Sequence, residues 1–272
     1  MRIGIIGTEN SHVDHIIEHL AAGPSRVVAI SGGDTPRNRA LQAKGSLDVM
    51  DGHDDPLRLV NAPEDLLGLV DAVVVADRLG DLHRAHAVPF LREGLPVFVD
   101  KPLACTVEDA SAIIAEAAAH HAPLTSFSAL RWLPAVEALA SAGPFRRVTA
   151  SGPVDPASPY GGIFFYGIHP VDVALRLAPG PVHSHEVTRL PDRIVVTAEV
   201  GSTEVEISLM LGDAPFTVSA DSARQVLELD EHYFVPGLEA FLTMAATGTA
   251  PIGHDDLLRP IQLLTATAKA IA

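Results

Sequence analysis

The chain has 272 residues, 47% of them hydrophobic, and a formal net charge of −15 from 34 acidic and 19 basic side chains. That length buries one large core or two modest ones, and two are expected. The acidic balance repels phosphate backbones and anionic membrane surfaces, so nucleic acid and membrane are excluded as electrostatic partners. The one cysteine, Cys105, leaves no pair for a disulfide and no thiolate cluster for zinc, which fits a reducing cytoplasm.

The segment MRIGIIGTENSHVDHII meets polar residues too soon for a secretory apolar region. No later run approaches the roughly 20 apolar residues of a membrane span, so a soluble protein is expected. Short β-branched runs then alternate with helical patterns: RIGIIG, a helix from about His12, RVVAIS, a helix near Arg37, DAVVVA and LPVFVD. That alternation predicts parallel βαβ units. On the first helix Val13, Ile16, Ile17 and Leu20 share one side at about 100° per residue, the pattern of a helix packed on a sheet.

Around Pro123 to Pro144 the pattern changes, and from Phe145 strands follow one another: FRRVTASG, VHSHEVTRL, RIVVTAEV, TEVEISLML, FTVSA and RQVLELD. Their spacing predicts a mostly antiparallel sheet. Helical segments are predicted at Ile168 to Leu177, Pro236 to Ala246 and Asp255 to Ile271, and SGPVDPASPYGG is the longest candidate loop. The expected architecture is an α/β Rossmann-like N-terminal domain over residues 1–122. An α+β C-terminal domain with an open, mostly antiparallel sheet is expected over 123–272.

In a Rossmann unit the first strand ends in a glycine-rich turn, because backbone amides and the next helix's N-terminus must approach a pyrophosphate closely. Here the turn reads Gly7-Thr8-Glu9-Asn10-Ser11-His12. Gly7 holds the first position of G-x-G-x-x-G, but Glu9 and His12 occupy the other two, so the fingerprint alone is weak. A carboxylate within about 4 Å of a phosphate costs on the order of 1 kcal/mol in water and about 4 kcal/mol at an effective dielectric of about 20. Glu9 therefore points away or weakens dinucleotide binding. Ser11 followed by Asp14 has the spacing of a capping box. The second strand runs into Ser31-Gly32-Gly33-Asp34, with Arg37 and Arg39 beyond it. If Gly32 takes the ribose-binding acidic position, NADP is favoured; if Asp34 does, NAD is, and the nearby arginines tilt the choice toward NADP.

The tripeptide Asp100-Lys101-Pro102 and its surroundings, HRAHAVPFLREGLPVFVDKPLACTVEDASAIIAEAA, resemble the Glu-Lys-Pro segment of the Gfo/Idh/MocA oxidoreductases, with Asp100 for the usual glutamate. His83 stands where that family often has a histidine after its fourth strand. SFSALRW, ending in Arg131 and Trp132, resembles the strand leading out of its nucleotide domain. Gly161-Gly162 followed by Gly167-Ile168-His169-Pro170-Val171-Asp172 resembles its G-x-H-x-x-D helix start, and the pattern from Phe241 to Ala266 resembles its ending.

The resemblance implies an NAD(P)-dependent dehydrogenase or reductase acting on a hydroxyl, carbonyl or imine carbon of a sugar-like or other small metabolite. It implies a homodimer or homotetramer. Lys101 is then the lysine beside the nicotinamide and the reacting oxygen, His169 the acid/base, and Asp172 its orienting residue or a helix cap. The cofactor-binding set becomes Gly7, Thr8, Glu9, Asn10, Ser11, His12, Gly32, Asp34, Arg37, Ala76, Asp77, His83, Asp100 and Pro102. Arg131, Trp132, Phe165 and Tyr166 become the substrate-facing set.

One departure stands out, because many relatives carry an aspartate four residues before the histidine and here that residue is Phe165. The substrate is then less polar at this point, or Tyr166 supplies the missing hydrogen bond, or the chemistry is altered. Two other readings stay open on these departures: a non-catalytic binding or regulatory relative, and an enzyme using NAD for elimination without net redox change. His12, His15 and His19 fall within about 60° on the first helix at about 100° per residue, but no acid shares their face and no metal site is expected. The pairs His83/His86, His120/His121 and His183/His185 are read as surface or capping residues.

Overall fold

In the computed structural model, which describes residues 1–21, 23–46 and 57–272, the apolar runs of the first half form strands with buried flanks. These are β1 (Arg2–Ile6), β2 (Arg26–Ile30), β3 (Arg58–Leu59), β4 (Ala72–Val75), β5 (Val97–Val99) and β6 (Leu124–Thr125). All pair in parallel, in the order β3-β2-β1-β4-β5-β6. Strands covered on both faces lose the polar alternation of a half-exposed sheet, which is why Val73, Val74, Val75, Val97, Phe98 and Val99 can all be apolar and fully enclosed. The interleaved helices are α1 (His12–Leu20), α2 (Pro36–Ser46), α3 (His83–Arg92) and α4 (Val107–Ala119). As the periodicity predicts, α1 buries Val13, Ile16, Ile17 and Leu20.

After α5 (Pro134–Ala142) come β7 (Arg147–Val154), α6 (Phe164–Leu177), β8 (Val182–Arg189), β9 (Arg193–Val200), β10 (Thr203–Leu211), β11 (Thr217–Ala220) and β12 (Ala223–Val226). Helices α7 (Val235–Thr247) and α8 (His254–Ile271) close the chain. The second sheet runs β12-β11-β7-β10-β9-β8 and is antiparallel except for the β7/β10 pair. Its buried side chains alternate, with Val148 and Ala150, Ile194 and Val196, and Val205, Ile207 and Leu209 facing the core. α6 packs on β7 and β10, and α8 packs on α6.

The chain divides into two compact units. The first comprises Met1–Asp100, Ser111–Ser126 and Leu238–Ile252; the second comprises Lys101–Ala110, Phe127–Gly237 and Gly253–Ala272.

Four local expectations are corrected. Of Ser126 to Trp132 nothing is strand: the pairing residues are Leu124 and Thr125, and Ala129–Trp132 is a 3-10 turn capped by the Ser128 side chain. The first four residues of the expected loop, Ser151 to Val154, belong to β7, where Gly152 lies against the Phe216 ring. α6 begins at Phe164, so His169 and Asp172 lie inside the helix and neither caps its start. The Ser11/Asp14 capping box does not form, because Ser11 already has helical dihedrals and Asp14 is bound elsewhere. Asn10 Oδ1 takes that role, accepting from the His12 amide at 3.1 Å.

Candidate functional site

In the first unit, Gly7 ends β1 at φ +78, a left-handed conformation that glycine adopts without steric cost. A Cβ here would sit 2.4 Å from the Asp77 amide nitrogen, so backbone dihedral and close approach both require glycine. Thr8 and Asn10 are buried while Glu9 and Ser11 are exposed. The turn is tied to α2, with Thr8 Oγ1 donating to Asn38 Oδ1 at 2.6 Å and Arg37 Nε donating to the Thr8 carbonyl at 2.9 Å. Arg37 also pairs with Asp14, which accepts from Lys44 at 3.2 Å. Burial alone would push the Asp14 carboxyl up, but these two cations bring it below its ordinary range.

His12, at the third glycine position of the fingerprint, turns inward. Its Nδ1 lies 3.0 Å from Asp100 Oδ2, and Asn10 Nδ2 donates to the same carboxylate. Asp100 therefore fastens the end of β5 to the glycine turn. At the end of β2, Asp34 is paired with Arg39, with Nη2 to Oδ2 at 2.7 Å, and this guanidinium holds the Asp34 carboxyl below its usual range. Gly32 and Gly33 both have positive φ.

Ala76 and Asp77 follow β4, and Asp77 meets two histidines: its carbonyl lies 2.9 Å from His83 Nε2 and its carboxylate 2.7 Å from His86 Nδ1. His83 is fully enclosed, which corrects its reading as a surface residue: the first residue of α3 faces inward, where the Asp77 carbonyl meets its ring nitrogen. The Asp77 carboxylate raises the His86 pKa against the opposing effect of burial, and the charges of Asp77 and Glu64 add to the rise. A raised folded pKa adds stability below the unfolded value of about 6.5, and that stability is lost as pH climbs through the folded value. The melting temperature of His86→Gln should therefore fall furthest below wild type near pH 6 and converge on it as pH rises to about 9. A deficit independent of pH would remove this assignment.

The second unit gathers the remaining residues. Lys101 is 7% exposed, and its Nζ lies 4.7 Å from the centroid of the Phe165 ring. Among the described residues its ammonium makes no hydrogen bond or ion pair, so the ring face is its electrostatic partner. Pro102 follows through a cis peptide. From Phe165 a run of rings continues along α6: Phe165 to Tyr166 at 4.8 Å, Tyr166 to His169 at 6.3 Å, then His169 to Phe216 at 5.4 Å. Tyr166 is 42% exposed, and its hydroxyl bonds to none of the described residues. Gly161, φ +99, lets the chain pass Cys105, whose Sγ would lie 2.6 Å from any Cβ there.

Beneath His169 lies Ser128, which the sequence did not single out. Its Oγ is 2.7 Å from His169 Nδ1, and its amide donates to Asp172 Oδ2 at 2.9 Å. Asp172 accepts from Arg131 Nη1 at 2.7 Å. Ser128 thus stands between Asp172 and the imidazole, bonded to both. Arg131 is 9% exposed, and neither it nor Trp132 makes a hydrogen bond, ion pair or ring contact with Lys101 or His169. Trp132 instead stacks under Arg176, 4.7 Å from its ring, and meets Phe127 edge-on. The one early signal for Ser128 was its place in SFSALRW, three residues after the end of β6.

Residues 1–127 match the family described as Gfo/Idh/MocA oxidoreductases, NAD-binding Rossmann fold. Within it the chain is 38% identical over 117 residues to inositol 2-dehydrogenase 1 of Saccharopolyspora erythraea, an alignment covering 42% of this chain and 32% of that protein. The match spans about a third of that relative's length. A Gfo/Idh/MocA family oxidoreductase from Vibrio cholerae superposes with a TM-score of 0.80 at 20% identity, covering 100% of this chain and 98% of that one. A 3-ketoreductase from Actinomadura kijaniata, solved with TDP-benzene and NADP, superposes at 0.74 and 17% identity over 99% of this chain and 97% of its own. These likenesses extend the Gfo/Idh/MocA fold across both units.

Proposed function

We propose that the chain transfers hydride between NAD(P) and a hydroxyl or carbonyl carbon of a sugar-like or other small metabolite. The observation that carries this reading is Lys101, a nearly enclosed ammonium with three donors that, among the described residues, makes no hydrogen bond or ion pair and has an aromatic face over it. Such a group stabilises an alkoxide as it forms, because its donors are already in place and need no reorganisation. The family of residues 1–127 and the relatives named as inositol 2-dehydrogenases support a cyclic polyol as the first substrate class to try.

The first unit suits a dinucleotide. Its strand order puts the glycine turn at a ligand-binding end of the sheet, and the two departures from the fingerprint are absorbed, Glu9 into solvent and His12 onto Asp100. Amides of Gly7 to His12 would hold the pyrophosphate, with Asp34 at the adenosine ribose. When bound, the nicotinamide supplies the hydride donor or acceptor. Lys101 and His169 hold the substrate oxygen, the Phe165 ring excludes water beside them, and a proton leaves or joins that oxygen as hydride moves at carbon.

Titration of NADH and NADPH by fluorescence tests the reading: binding of at least one, followed by turnover across a panel of cyclic polyols and keto-sugars, is expected. Failure of both cofactors to bind at millimolar concentration overturns it.

Both arginines near the ribose end are paired with carboxylates, but Arg39–Asp34 is an exposed pair and easily reorganised. Asp34→Ala removes a carboxylate that would repel a 2′-phosphate and releases Arg39. The ratio of NADPH to NADH affinity should rise about tenfold, or about 1.4 kcal/mol. An unchanged ratio would place the ribose elsewhere.

The single cysteine supports a cytoplasmic location, and among the described residues no helix is long and apolar enough to cross a membrane. β8 is exposed along most of its length, which supports assembly as a homodimer or homotetramer through the second sheet.

A further inference from the structure

Ser128 is fully enclosed, and among the described residues its hydroxyl oxygen has two hydrogen-bond neighbours. The Leu130 amide donates to Oγ at 3.2 Å, and His169 Nδ1 lies 2.7 Å away. An amide N–H can only donate, so it occupies a lone pair of the oxygen and offers nothing to the hydroxyl hydrogen. Among the described residues the one acceptor for that hydrogen is His169 Nδ1. If Nδ1 carried a proton, two donors would point at Oγ and the serine hydrogen would be buried without an acceptor, a state that is strongly disfavoured.

A carboxylate bonded to Nδ1 would have the opposite effect, fixing the proton there and favouring imidazolium. In this chain the Asp172 carboxylate stands one residue removed, neutralised by Arg131 at 2.7 Å and holding the Ser128 amide at 2.9 Å.

We propose that Ser128 is a positioning residue that holds His169 as a neutral imidazole protonated on Nε2, so that His169 donates a hydrogen bond to the substrate oxygen and does not take its proton. In reduction hydride leaves the nicotinamide for the carbonyl carbon, and the Lys101 ammonium gives one proton to the oxygen, leaving a neutral amine. Oxidation is the same step reversed: the substrate O–H bond breaks as hydride leaves carbon, and its proton passes to that neutral amine. His169 keeps its Nε2 proton in both directions. The catalytic half rests on the hydride-transfer reading above; the tautomer does not.

Two-bond proton–nitrogen correlation spectra of the full chain carrying 15N-histidine read the tautomer directly, with the His169 signals assigned by their loss in His169→Gln. Above neutral pH, the Nε2–H form should exceed the Nδ1–H form by about tenfold or more, given the cost of a buried hydroxyl hydrogen without an acceptor. Ser128→Ala should bring the two forms to comparable populations and lower kcat more than it changes KM. Ser128→Thr, which keeps the hydroxyl, should restore both. A predominant Nδ1–H signal in the wild-type protein overturns the proposal, as does a Ser128→Ala spectrum identical to wild type. If the Nε2–H form is found but neither NADH nor NADPH binds, the reaction falls while the tautomer stands.

Discussion

Lys101→Ala should lower kcat of the proposed hydride transfer about 10²- to 10³-fold, the usual consequence of removing one donor to a developing oxyanion. Dinucleotide affinity should stay within a few-fold of wild type, because the glycine turn, Asn10, His12 and Asp100 are held by bonds that do not involve the ammonium. Loss of the cation over Phe165 removes on the order of 1 kcal/mol of stability, a cost that should be visible in the melting temperature without unfolding the chain. Lys101→Met, which keeps the aliphatic stem but no cation, should keep the packing of that stem but recover neither the cation–ring contribution nor the turnover. Single-turnover and equilibrium-binding measurements separate the two effects. Activity of Lys101→Ala within tenfold of wild type would remove the lysine from the chemistry.

Asp172→Ala should destabilise the chain more than His86→Gln, Asp34→Ala or Lys101→Ala. It leaves the Arg131 guanidinium, 9% exposed, without its carboxylate, and leaves the Ser128 amide without an acceptor. Arg176 stands close by: burial and the charge of Arg131 push its guanidinium below the ordinary range, while Glu137 and Asp172 oppose that shift. Breaking such a buried pair by removing one partner costs about 3 to 5 kcal/mol. For a chain of this size that corresponds to a fall of about 10 °C in melting temperature. The double change Asp172→Leu with Arg131→Met removes both charges and should unfold at a higher temperature than Asp172→Ala. If the double variant is no more stable than the single one, the penalty comes from lost packing and the buried-charge explanation fails.

The fold was legible because its signals are local. β-branched runs alternating with a 3.6-residue periodicity mark parallel units, and successive half-buried strands mark the second sheet, as Ile194, Val196 and Ala198 show by alternating with exposed or half-exposed neighbours. The Asp100-Lys101-Pro102 and Gly167 to Asp172 segments carried the family resemblance, and Lys101 and His169 do lie in one unit. The ends of elements were less legible. A capping box at Ser11 and Asp14 was plausible on spacing alone, but Asp14 is drawn away by Arg37 and Lys44, over 20 residues distant in sequence.

By itself the sequence determined a parallel sheet with a glycine at the end of its first strand and a second, mostly antiparallel sheet, while its family resemblance pointed to Lys101 and His169. The sheets follow from periodicity and backbone sterics, readable within a few positions, and the lysine and histidine from the resemblance alone. Only the tertiary structure decided the partners: His12 with Asp100, 88 residues apart, Lys101 with the Phe165 ring, and Ser128 with His169, 41 residues apart. Hydrogen bonds and ring contacts act over a few ångströms and are indifferent to chain separation, so no local pattern encodes which side chains will meet. For that reason Asp172 reads in sequence as an orienting partner of the histidine or as a helix cap, and in the folded chain a serine stands between the two, bonded to both.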